Sequence, residues 1–330
     1  MEAFPEEDVL MLTTADDGQM SQGLATMKQS LVGERANLHD LSLGVALAIN
    51  YHARNILEVV WFITRFPPTQ AVEETGVIGD PGEEFQYNAR ATWGPFGDDE
   101  GKNLEYLLHV WRGVDVEDGR STYLYFIAGR PEGSGDDAWV PFLVGGAKPF
   151  EAGFEGRHGL VQLDFDAIRS FDPSEDDGGV VSFIYIQSIE GHLVAVVGEG
   201  LWGDEEQTYV TDSTYLYGRS VEGWTVLEFD ADGNVDEEGG EALEHLHVST
   251  AWYQGHGRSD AVVSGGDLGE GSATNTQCWG VDLLQSYFHW VTEGIEPPAD
   301  FEDGPASACF LPHAVALEDI DYEAIRTAFD

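Results

Sequence analysis

Three groups of residues have types and spacings that can do chemistry. Asp230, Asp232, Asn234 and Asp236 set oxygen ligands at alternate positions around Gly233, as a hard cation such as calcium (Ca2+) requires. The spacing departs from an EF-hand, because the glycine comes at the fourth position and no helices flank it. The same run also reads as a hairpin loop with an Asp-Gly turn. His245 and His247 lie two apart on an expected strand and so project from one face. Such a pair can ligate zinc or copper, yet no third ligand is apparent beside it, and His256 in the next loop is undirected. The bland reading is two solvent-facing strand residues.

The third group is aromatic. Tyr209, Tyr215 and Tyr217 share one parity on their run, as Tyr123 and Tyr125 do on theirs. Such rows either line a pocket for an apolar ligand or fill a closed core. His52 and Arg54, on a strongly apolar helix, would mark the polar mouth of such a pocket or pair with strand residues in a tight core. No catalytic constellation is present. Gly198 to Gly203 matches a dinucleotide fingerprint formally, but a strand follows where a helix is needed. Acidic pairs carry no weight, because the chain holds 61 acidic side chains.

Those acids stand against 15 basic side chains, for a net charge of −46. Nucleic acid is excluded as a partner, since binding it needs clustered cations, and anionic lipid headgroups are repelled likewise. A chain this acidic suits salty water or calcium-rich surroundings, where ions screen its self-repulsion. The stretch from Met1 to Asp8 has neither a basic start nor an apolar run. The expectation is therefore either a cytosolic protein, as in a halophile, or one whose leader has been removed. Cys278 and Cys309 are the two cysteines. Without metal-type spacing they read as a disulfide in an oxidising compartment, or otherwise as two buried thiols.

The element expected to organise the chain runs from Ser21 to Phe66, broken near Gly33 and stopped by Pro67 and Pro68. Apolar residues at Leu38, Leu41, Val45, Ile49, Ile56, Val60 and Ile63 give it a helical face. Leu43, Leu47, Leu57, Val59, Trp61 and Phe62 widen that face until the helix reads as buried nearly all round. It is not a membrane span, because Asn50, His52, Arg54, Asn55 and Glu58 would lie unpaired at bilayer depth. From Tyr87 onward the chain alternates with period two in about ten or eleven runs joined by Asp/Gly/Glu turns. No helix is long enough for parallel crossovers, so the sheet is antiparallel. The predicted fold is mainly β: a large curved antiparallel sheet or open barrel of about ten strands wrapped on the buried helix. Asp166 to Phe171 reads as a helical turn, Cys278 to Val291 as helix or strand, and Ala314 to Asp330 as a short docking helix. The expected organisation is an acidic lead over 1–20 and one domain over 21–330. Within that domain fall the helix (21–66), the β region (85–264) and a cysteine-bearing C-terminal region (275–330).

Glu244 to Trp252, Gly257 to Gly269, Gln277 to Trp279 and Ser307 to Phe310, with Pro67 to Thr69 and Thr92 to Pro95 upstream, resemble uncharacterised myxobacterial cell-envelope lipoproteins. The resemblance implies export, an extracytoplasmic location and a lipid anchor on a cysteine preceding Met1. It also favours a Cys278–Cys309 bridge, and it implies no catalytic residues. The expected function is non-enzymatic: binding of a lipid or other apolar small molecule between sheet and helix. The alternative is a structural or adhesion module of the envelope, stabilised by calcium.

Overall fold

The computed structural model describes residues 4–5, 10, 32–79, 85–98, 101–114, 119–149, 156–189, 191–202, 210–221, 223–233, 242–295 and 297–309. Helix α1 spans Asn37–Thr64. Its buried positions Leu38, Ser42, Ala46, Ile49, Ala53, Ile56, Val60 and Ile63 recur every three or four residues and so form one stripe. The other side meets solvent, with Tyr51 65% and Trp61 58% exposed. This corrects the expectation of a helix from Ser21 that is buried all round. Residues 21–31 lie outside the described residues, and the described helix is amphipathic. Arg54 and Glu58 lie on the same side as Tyr51 and Trp61, and His52 flanks the buried stripe; all five are exposed. Their polar ends favour water, so that side turns outward despite its aromatics. Arg65 covers part of the apolar excess, its guanidinium carbon 5.7 Å from the Trp61 ring centre and 4.9 Å from that of Phe66.

The strands follow in chain order. They are β1 (Gln70–Val72), β2 (Gly76–Ile78), β3 (Phe85–Tyr87), β4 (Ala89–Gly97), β5 (Leu104–Val114) and β6 (Ser121–Pro131). Next come β7 (Val140–Pro149), β8 (Gly156–Asp164), β9 (Val180–Ser188), β10 (Gly191–Trp202), β11 (Val210–Ser220) and β12 (Thr225–Gly233). The chain closes with β13 (Glu244–Tyr253), β14 (His256–Gly265), β15 (Ser272–Trp279), β16 (Gln285–Glu293) and β17 (Asp300–Asp303). Fifteen of them form one antiparallel meander in the order β1-β4-β5 and on through β17, while β2 and β3 pair separately. The sheet is not closed. The described strands thus exceed the ten or eleven expected. Those missed are three-residue pieces near the start (β1 to β3) and polar runs near the end. Ser272 to Gln277 carries Asn275 and Gln277 on its buried face, and β17 is acidic, so neither shows an apolar alternation. The predicted turn at Asp166 is helix α2 (Phe165–Phe171), whose first turn Asp164 caps by accepting from the Ala167 N–H at 2.8 Å.

Hydrogen bonds tie the two ends of α1 to strands far apart in the sheet. Near its start, the Leu38 N–H donates to Gln277 Oε1 on β15 (3.1 Å), and Ser42 Oγ meets Thr250 Oγ1 on β13 (2.8 Å). Just past its end, Trp93 Nε1 on β4 donates to the Phe66 carbonyl (2.8 Å). From β4 to β15 is eleven strand steps, or about 53 Å along a sheet at the usual spacing. The helical path from Leu38 to Phe66 is only about 42 Å. The sheet must therefore arch, with α1 bridging its arms. The main core fills the inner face and draws on every strand from β5 to β14 except the polar ends, together with α1, Phe4 and Leu10.

Arching is helped where a ring on one strand lies over a glycine directly across on the next. Tyr125 covers Gly145, Tyr185 covers Gly159 and Trp279 covers Gly257, as Tyr87 covers Gly76 in the separate β2–β3 pair; a Cβ at any of these glycines would run into the ring. Such pairs pin register and shield the bared backbone. On the outer face of the middle strands, Ile184, Ala195 and Leu216 pack with Leu160 and Leu193. The open edges are short, and β17 is acidic, which discourages edge-to-edge association.

Candidate functional site

The inner face under the arch gathers most of the predicted aromatic row. Tyr125 and Tyr217 belong to its core, and Tyr123 and Tyr215 pack against it. Tyr215 lies 6.1 Å from Phe229, and Tyr217 5.7 Å from His192, centre to centre. Tyr209 lies outside the described residues. His52 and Arg54 do not join the row: both are exposed on α1. The sequence reading missed Tyr185 and Phe183, fully buried on β9. Val180 to Ile186 is apolar on both faces, so parity alone did not show which side would turn inward.

Tyr125 and Tyr185 set the character of the site. Neither hydroxyl has a hydrogen-bond partner among the described residues. An unsatisfied hydroxyl in such a place costs about 1–3 kcal/mol. Burial pushes the Tyr125 phenol well above its ordinary value, with the neighbouring Tyr185 adding to the shift. Burial also pushes Tyr185 up to about 12, partly opposed by the Arg157 charge. Arg157 Nε donates to Gln187 Oε1 at 3.1 Å. The Phe4 ring rests on Tyr125 at 4.4 Å between centres. Chemically, the arrangement offers protonated donors, one guanidinium and apolar walls.

At the β13–β15 arm the inner face turns polar. Ser42 Oγ, Thr250 Oγ1 and Ser259 Oγ form a buried hydroxyl chain with 2.8 Å links. Gln277 caps α1 through its oxygen, in place of Ala36, which has no side chain to do so. This cluster docks the helix.

The predicted calcium and histidine groups meet each other on the outer face. Asp230 stands directly across from His247, and Asp232 from His245. His247 Nδ1 lies 2.9 Å from Asp230 Oδ1, and His245 Nδ1 2.9 Å from Asp232 Oδ1. His245 Nε2 also approaches Asp230 Oδ1 at 3.3 Å, and His247 Nε2 approaches Glu228 at 3.7 Å. The result is a ladder of imidazoles and carboxylates across β12 and β13. Asn234 and Asp236 lie outside the described residues. Among the described residues, no group of three or more His, Cys, Asp or Glu is arranged to hold a metal ion.

No family model, curated protein or solved structure matches this chain. The cysteines do form a disulfide, Cys278–Cys309, with their Cα atoms 5.3 Å apart. It ties the inner end of β15 to the segment after β17, beside the Trp279 that covers Gly257. Among the described residues, no helix is long and apolar enough to cross a membrane. The functional reading therefore rests on the inner face and on the disulfide.

Proposed function

We propose that this protein is a non-enzymatic, extracytoplasmic lipoprotein that binds a lipid or other apolar ligand between its arched sheet and α1. One observation carries the reading. Aromatic and aliphatic side chains from β5 to β14 face one amphipathic helix that bridges the arms of an open sheet. A concave apolar face with a few polar groups set into it is the usual form of a small-molecule site. The disulfide supports an oxidising compartment. The likeness of the C-terminal third to myxobacterial envelope lipoproteins supports export and a lipid anchor. The net charge of −46 favours a ligand entering as a neutral or singly charged species.

The test is solvent extraction of purified protein followed by mass spectrometry, then titration of the delipidated chain with a fluorescent apolar probe. A co-purifying lipid and saturable probe binding are expected. Delipidated protein that takes up no probe, with no lipid in the extract, would sink the proposal and leave a structural module of the envelope.

A further inference from the structure

We propose that Tyr125 and Tyr185 together anchor the carboxylate end of an acyl-chain ligand on the inner face, with Arg157 beside them. This rests on the apolar-ligand reading and adds the chemistry of the headgroup.

Tyr125 on β6 stands directly across from Gly145 of β7, and Tyr185 on β9 directly across from Gly159 of β8. A Cβ at either glycine would run into the ring Cζ and Oη, so each hydroxyl lies over the next strand inward. β7 and β8 are themselves paired, with Ala147 opposite Gly159. The two rings therefore reach toward the β7–β8 seam from opposite sides. Beneath them Gly145, Ala147 and Gly159 carry nothing larger than a methyl group, while Val161, opposite Gly145, gives the strip one apolar wall. Tyr125 is 1% exposed and Tyr185 0%, and neither hydroxyl has a partner among the described residues. Phenylalanine at either position would fill the same space without stranding a donor. Two stranded donors over one strip call for an acceptor.

The surroundings decide the acceptor's class. Burial keeps both phenols protonated well beyond neutral pH, so each has a proton to donate. Arg157 lies two residues before Gly159 on the same face of β8 and brings one positive charge. One charge and two donors match a singly charged carboxylate, whose two oxygens accept several hydrogen bonds. Val161, Phe183 and Val194, buried around the phenols, suit a hydrocarbon tail.

Delipidated protein is titrated with hexadecanoate and, separately, with methyl hexadecanoate, each read by displacement of the apolar probe. The chains compared are the unaltered one, Tyr125→Phe, Tyr185→Phe and the double variant. Hexadecanoate affinity should fall about tenfold in each single variant and further in the double, as loss of a hydrogen bond to a charged group implies. Affinity for the methyl ester should hold, and melting temperatures should stay level or rise. Equal hexadecanoate affinity in the unaltered and double-variant chains overturns the headgroup site while leaving the apolar-ligand reading intact. If neither ligand displaces the probe from the unaltered chain, both readings fall. Variants that melt lower but bind both ligands as before place the hydroxyls' partners within the protein or on fixed water, which also overturns the site. Should the double variant not fold, the single variants decide.

Discussion

His109 Nδ1 lies 2.8 Å from Thr92 Oγ1, and burial together with the Arg90 charge holds its imidazole below the ordinary histidine value. Burial and the Lys148 charge do the same to His158. Two carboxyls are also held low. Burial alone would raise Asp172, but hydrogen bonds from Ser174 and Lys102 reverse it. Asp40 is likewise raised by burial and then pulled down by hydrogen bonds from His39 and Arg35. In all four the folded state holds its proton less tightly than the unfolded chain, so stability is present above the unfolded value and lost as pH falls through the folded one. Tyr125 and Tyr185 are shifted up, so their contribution is present below the phenol's ordinary value and lost as pH rises past it. The melting temperature, followed by circular dichroism, should therefore be flat near neutrality. It should fall below about pH 6.5, fall again below about pH 4, and fall above about pH 10. A melting temperature that climbs on acidification from pH 7 to pH 5, at about constant ionic strength, would count against the histidine assignments. At this scale the sequence told which residues are unusual but not which are buried. The Tyr125 hydroxyl was singled out by parity; its companion on β9 emerged only from packing.

Elements obey different rules for the same substitution. Gly44 sits inside α1 with nothing within 4 Å of a Cβ built there. Alanine at that position restricts the unfolded chain and favours helix, so Gly44→Ala should stabilise by about 0.5–1 kcal/mol. Gly257 sits in β14 beneath the Trp279 indole, which a Cβ would strike at Cε2 and Cζ2. Trp279 is buried beside Trp252 and His39 and has little freedom to move aside. Gly257→Ala should therefore destabilise by about 1–3 kcal/mol, the usual range for overpacking. Urea denaturation of both variants checks the pair, and the same sign in both would show that the ring does not rest on Gly257. Helix periodicity was plain in the sequence, as were the alternations of β4 and β8, whereas β5, β6 and β9 are apolar on both faces and gave no inner side. What the sequence hid was which side of α1 would face water. That depended on a sheet whose apolar face covers one stripe and leaves Tyr51 and Trp61 outside.

At the scale of the whole molecule, charge dominates. With a net charge of −46 the folded chain repels itself, and added salt should relieve that repulsion. The melting temperature should rise between about 0.05 M and 1 M sodium chloride. A level or falling curve in that range would mean that the arch already places its acids far enough apart. This expectation is legible from composition alone, because charge and residue type are properties of the chain and not of its path. The mainly β class and the antiparallel pairing were likewise settled by short alternating runs joined by tight turns, which leave no room for crossovers. The cysteine pair was open to two readings in the sequence, and folding chose the disulfide by bringing residues 31 apart within bonding reach. Only the tertiary structure decided that the sheet stays open and that it arches over a helix of fixed length pinned to strands eleven steps apart. It alone set Tyr125 and Tyr185 over one pair of strands, and Asp230 and Asp232 against His247 and His245. Those meetings depend on cross-strand register, and register is settled by what each face buries over the whole sheet.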